Sequence, residues 1–325
     1  MTQITLGLCM HRPETLPLLT AAVKGHDAIL VEDLPAPEFD AMLDGRLSID
    51  AYLMEIDAEY PRFGRGFCEM LRERRAAGVA VRAVEPFLEE LTAIHLFLAD
   101  GGRPADIPPD TPRGRVYAAE RAATGALIAY YDTVMTGSFR DAVAAVQQFA
   151  REDARRFRLR EEMRAEALAA GAAAHDSVFV EAGDIHYGLF PELRRKLPRS
   201  DRLFVGFVTA ETARSLWGKR HLYGPGDQLT LLYRFHPASR DRRADLWAAR
   251  AIVYAKLLEK EETEGDDFPH ARSMVRTTRT VERLSLTECN LLFPWIRRKG
   301  TVRAREIVAE FLAERDGADT TRALF

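Results

Sequence analysis

Five short apolar runs constrain this chain most: ITLGLC from Ile4, AILV from Ala28, VAVRAV from Val79, SVFV from Ser177 and LFVGFV from Leu203. They are rich in β-branched and aromatic residues, bounded by breakers, and nearly continuous in apolar character. A strand with one wet face alternates; a strand buried on both faces does not. Burial on both faces goes with a parallel sheet covered by helices. The expected fold class is therefore α/β, with a mainly parallel sheet flanked by helices.

Helical patterns fill the intervals. PETLPLLTAAVKG opens on Pro13, suited to a first helical turn, and stops at Gly25; the pattern over 63–77 stops likewise at Gly78. From about 86 to 170 the chain reads as helix after helix, broken by the Pro- and Gly-rich loop over 101–115. The longest of these has Ser138 as N-cap and Asp141 three residues on. After Phe235 the pattern is helical again over 243–262, 269–284 and 301–312, and GDQLTLLYRF from Gly226 is ambiguous between strand and helix. This predicts an α/β domain over 1–235 with a long helical insertion at about 86–170, followed by a helical C-terminal region over 236–325. Oligomerisation through those last helices is a natural use for them, and the FPWIRRK segment from Phe293 to Lys299 fits helix docking or a protein partner.

A net charge of -3 with 29% charged residues argues against a nucleic acid or an anionic membrane as partner. The start, MTQITLGLCMH, has no basic region ahead of a long apolar one, and no run approaches the roughly 18 apolar residues of a membrane span. A cytoplasmic protein acting on a small-molecule or peptide ligand is expected. Cys9, Cys68 and Cys289 are too few and too scattered for a disulfide framework or a paired zinc site, so reduced thiols are expected.

In an open parallel sheet, ligands bind beyond the carboxyl ends of the strands. There the chain sets His11, Arg12 and Glu14 after the first run, Glu32 and Asp33 after the second, Glu85 after the third, and Asp184, His186 and Tyr187 after the fourth. Single members of this set have ordinary explanations as helix caps or dipole partners. Two imidazoles and several carboxylates on one rim form a candidate cleft. His11, Glu32, Glu85 and His186 are the expected catalytic groups, with Arg12, Glu14, Asp33, Asp184 and Tyr187 around the substrate. Two chemistries are open. His11, His186 and Glu32 could hold Mn, Fe, Co or Zn and activate a bound water. Alternatively a histidine could act as general base with a carboxylate fixing its tautomer.

The pattern resembles the superfamily of the erythromycin esterases, the TraB and Tiki proteins and the ChaN-like haem-binding proteins. The resemblance rests on Gly183-Asp184-Ile185-His186 as the late Gly-x-x-His motif, His11 as the early histidine, and Glu32 after the second strand. At the early motif, Leu8-Cys9-Met10-His11 stands where family members often show Gly-Glu-x-His. The resemblance implies a hydrolase acting on an ester or amide bond, with or without the assistance of a metal. Its ChaN-like branch implies the alternative: a non-catalytic protein holding haem or another ligand in the same crevice through Tyr187, Tyr130 or Tyr131. No Walker phosphate loop, Gly-x-Gly-x-x-Gly turn or Gly-x-Ser-x-Gly elbow is present. The segment Arg151–Glu166, with six arginines and five acids, reads as a solvated helix face, or else as an anion-binding one.

Overall fold

The computed structural model describes residues 1–322 apart from 240, 242, 264 and 266, with the side chains of 318–322 outside the description. All five apolar runs are strands: β1 (Gln3–Cys9), β2 (Ala28–Val31), β3 (Ala80–Ala83), β4 (Ser177–Gly183) and β5 (Arg202–Phe207). They form one sheet in the order β3-β2-β4-β1-β5, and every neighbouring pair is parallel. The fold is α/β, as the non-alternating runs require.

The strand order carries the functional consequence. β4, which follows the long helical insertion, enters between β1 and β2. Its register sets Gly183 opposite Cys9 and Val180 opposite Leu30, so three strands end almost level. The carboxyl ends of an early and a late strand therefore become neighbours.

Both faces are largely buried at β1, β2 and β4, whereas β5, at the sheet edge, alternates despite its continuous apolar run, with Phe204 51% exposed. Ile4, Leu6, Leu8, Leu30, Val178 and Val180 point into one core, with Leu168 and Leu189 opposite. Cys9, Ile29, Val31 and Phe179 point into the other, against Leu19, Phe39, Tyr52, Phe63 and Leu71. Those partners come from α1 (Leu16–Ala22), α2 (Pro37–Leu43), α3 (Ile49–Glu55) and α4 (Pro61–Ala76). On the second face, Gly7 leaves room for the Phe179 ring, since a Cβ at that position would fall on it. Gly7→Val is expected to lower stability by about 1–3 kcal/mol through overpacking. Urea denaturation would read this as a lower midpoint at unchanged slope.

The insertion consists of α5 (Pro86–Ala99), α6 (Pro112–Thr136) and α7 (Phe139–Ala172). Ser138 caps α7, accepting from the Asp141 amide at 3.2 Å. Beyond it come α8 (Leu189–Lys196), α9 (Ala210–Trp217), α10 (Pro225–Phe235), α11 (Arg243–Leu257), α12 (Pro269–Glu282), α13 (Leu286–Ile296) and α14 (Thr301–Arg322). The ambiguous GDQLTLLYRF is helical because Pro225 starts α10 and Asp227 accepts from the Gly224 amide at 2.8 Å. Burial raises the pKa of Asp227 to about 6.

The chain divides into two compact units. The first takes Met1–Ala122, Arg155–Leu222 and Glu262–His270; the second takes Ala123–Ala154, Tyr223–Glu261 and Ala271–Phe325. The first holds the whole sheet. The second is helical among the described residues, with a core that includes Val146, Leu229, Ile252, Val281, Leu292 and Val308. Among the described residues no helix is long and apolar enough to cross a membrane.

Candidate active site

The level ends of β1, β2 and β4 set the geometry. The Asp184 amide donates to the Cys9 carbonyl at 3.0 Å, so the chains leaving β1 and β4 start side by side. Gly183 lies at the meeting point. A Cβ placed there would be 3.5 Å from His186 Cδ2, 3.7 Å from Glu32 Oε2 and 3.9 Å from His11 Cε1. Three groups from three strand ends thus face one small space.

His11 pairs with a residue that the sequence did not single out. Its Nε2 is 2.7 Å from Glu181 Oε1, while Glu181 Oε2 accepts from the Glu32 amide at 3.1 Å. Glu181 is 1% exposed within β4, on the same face as Phe179. The imidazole stacks on Phe63 with centroids 5.0 Å apart and keeps about a third of its surface open, at 32%. Burial disfavours its cation, but Glu181, with Glu32 and Asp184 behind it, outweighs that and raises the His11 pKa.

Glu32 ties the site together. Its Oε1 accepts from Arg160 Nη2 at 2.6 Å and lies 3.1 Å from His186 Nε2. Its Oε2 accepts from Arg164 Nη1 at 3.2 Å and from the Gly183 amide at 2.7 Å. Against the cost of burial, these cations hold the Glu32 carboxyl well below its ordinary pKa. His186 has Glu161 Oε1 3.7 Å from its Nδ1 and the Phe157 ring at 4.8 Å. Burial opposes its charge, but Glu32 and then Glu161 prevail, raising its pKa to about 9.

The raised His186 pKa has a defined pH signature. A folded-state pKa above the unfolded value of about 6.5 gives stability that is complete below pH 6.5 and lost as pH rises through about 9. The size is on the order of 3 kcal/mol. The depressed Glu32 pKa works in the opposite sense: its contribution is present above the ordinary carboxylate value and lost as pH falls through the folded one. Urea midpoints measured from pH 6 to 9.5 should therefore decline in the wild type and decline clearly less in His186→Gln, where only the raised His11 pKa still contributes. A decline of equal size in both would contradict the assignment.

Glu85 is fully buried. Its Oε2 accepts from Arg160 Nη2 at 3.1 Å and lies 3.6 Å from Arg164 Nε. Arg164, 2% exposed, also donates to the carbonyls of Val84 at 3.0 Å and Glu181 at 2.6 Å. Arg160 and Arg164 sit one turn apart on α7, so the anions they meet are the protein's own carboxylates. An i, i+4 arginine pair within an arginine-rich helix was the available signal; its partners are distant in sequence and could not be read.

The remaining residues expected around a substrate are placed as follows. Arg12 lies over the Tyr60 ring at 3.8 Å, with its Nη1 buried and not hydrogen-bonded. Glu14 accepts from His270. Asp33 accepts from the Tyr52 hydroxyl and the Leu34 amide, each at 2.7 Å, and burial raises its pKa. Asp184 follows β4 directly, and Tyr187 stacks on Phe207 at 6.1 Å. Tyr130 and Tyr131 stack on each other and belong to the second unit.

The donor set does not fit a divalent cation in this arrangement. Both Glu32 oxygens are taken by arginine, histidine and amide donors, and two guanidiniums lie within hydrogen-bonding distance of it. Among the described residues no group of three or more His, Cys, Asp and Glu side chains is placed to hold a metal. The arrangement suits proton transfer: a partly open His–Glu pair beside a buried imidazolium.

No protein-family profile matches the chain, and no solved structure matches it. It is similar to an uncharacterized protein of Archaeoglobus fulgidus, 29% identical over 285 residues that cover 87% of this chain and 94% of that protein. A similarity of that length extends beyond either compact unit alone.

Proposed function

We propose that this protein is a hydrolase of ester or amide bonds in which His11, oriented by Glu181, does the acid–base work beside a His186 cation held by Glu32. The supporting observation is the convergence of His11, Glu32 and His186 on the space at Gly183 from three separate strand ends. In this scheme neutral His11 takes a proton from water through Nδ1 as the water oxygen attacks the carbonyl carbon. The field of the His186 cation favours the oxyanion that develops. His11 then returns the proton to the departing alkoxide or amine as the carbonyl re-forms. No metal step enters, because the Glu32 oxygens are already engaged.

Hydrolysis of a panel of p-nitrophenyl esters and chromogenic amides by the wild type, His11→Ala and His186→Ala tests the proposal. Turnover lost in both variants, with cooperative unfolding retained, supports it. Equal turnover in all three proteins sinks it.

A second reading, a non-catalytic protein holding haem or a similar flat ligand, draws on Tyr187, which is 37% exposed and stacked on Phe207. A Soret shift lost in Tyr187→Phe would favour that reading; no shift on haem titration removes its haem form.

A further inference from the structure

Glu262–His270 belongs to the first unit, although the chain on either side belongs to the second. At one end of this segment the Glu262 carboxylate accepts from the Arg62 amide at 2.9 Å and the Phe63 amide at 3.0 Å. These are two of the amides that an α-helix leaves unsatisfied at its start. Tyr60, the residue preceding α4, supplies no side-chain cap, so the cap comes from this remote carboxylate.

At the other end His270 is 4% exposed. Its Nε2 accepts from the Thr263 amide at 2.9 Å, which leaves the proton on Nδ1, directed at Glu14 Oε2 at 2.7 Å. The His270 amide donates to the same Glu14 oxygen at 3.0 Å. Between the anchors, Asp267 (φ 69°) and Phe268 (φ 57°) both take the left-handed conformation. That conformation is uncommon for non-glycine residues, and for a bulky one such as Phe268 it has to be enforced by the surroundings.

Both anchors land on the supports of His11. Glu262 fixes the first turn of α4, whose Phe63 ring stacks on the imidazole; His270 fixes Glu14, in the 3₁₀ turn Pro13–Thr15 that follows His11. We propose that Glu262–His270 is a strap that positions His11, with Glu262 and His270 as positioning residues. One end holds the Phe63 ring against the imidazole, and the other holds the turn that carries the chain away from it. The strap's purpose rests on the acid–base reading of His11, but its test needs no turnover.

The full chain is labelled for NMR as wild type, Glu262→Ala, Glu262→Gln and His270→Gln. Two readouts are followed: amide exchange at Arg62 and Phe63, and the His11 Cε1–H resonance, which the Phe63 ring current displaces. In Glu262→Ala, exchange at Phe63 should rise about fivefold, as for loss of a helix cap. The His11 resonance should move toward its ordinary position, with partial return in Glu262→Gln, which keeps one acceptor oxygen. His270→Gln should move the same resonance from the other end. If the His11 resonance stays in place while amides of the strap or α4 exchange faster, the contacts are structural only and the proposal is overturned. Unchanged exchange in Glu262→Ala overturns it as well. Failure of the hydrolase reading would appear in turnover alone and leave these signals as expected.

Discussion

Glu32→Ala is expected to destabilise the protein by about 3–5 kcal/mol, the range for breaking a buried ion pair by removing one partner. The substitution leaves Arg160 and Arg164 sharing Glu85, leaves the His186 cation with Glu161 alone, and removes the acceptor of the Gly183 amide. Arg164 and His186 are almost fully buried, so water cannot replace the lost carboxylate without a local opening. Chemical denaturation should show a large fall in midpoint at constant slope. Asp106→Ala, which breaks the exposed pair with Arg103, should leave the midpoint unchanged. Comparable small shifts in both variants would mean that the buried network contributes little.

His11→Ala is expected to lower hydrolytic turnover by about 10²–10⁴-fold, the usual worth of a positioned acid–base group. Its imidazole is a third open, so thermal unfolding should stay cooperative, with a lowered midpoint because the buried Glu181 carboxylate loses its partner. Gly183→Ala gives an independent check. The added methyl would make ordinary contacts with His186, Glu32 and His11 at 3.5–3.9 Å, so the fold should survive while the space between the two histidines is filled. Turnover should fall with little change in stability. Full turnover in Gly183→Ala would place the reacting bond elsewhere.

The fold class was legible because both-face burial leaves continuous apolar runs, and the run at Ala28–Val31 is strand β2 residue for residue. The strand order was not. Parallel pairing uses backbone hydrogen bonds between segments far apart in sequence, so nothing local in SVFV says that it enters between β1 and β2. The two short helices α2 and α3, seven residues each, are too brief for a period to stand out.

At the site, His11, Glu32, Glu85 and His186 were visible as polar residues beyond strand ends. Glu181 carries no such signal, because a carboxylate at the end of an apolar run looks like the point where a strand stops. β4 instead continues through it to Gly183, and His11 compensates the buried charge. Arg160 and Arg164 were hidden for the opposite reason. In a helix with six arginines and five acids over 151–166, the two that turn inward differ from the rest only in what faces them.

The early and late strand ends meet, so that Glu32 after β2 keeps His186 after β4 as a cation. The most direct measurement is an NMR pH titration of the His186 ring in the wild type and in Glu32→Gln, which preserves shape while removing charge. The wild-type ring should titrate with a midpoint near 9, falling toward the ordinary 6.5 in the variant. A wild-type midpoint already near 6.5, or one that Glu32→Gln leaves in place, would contradict that pairing.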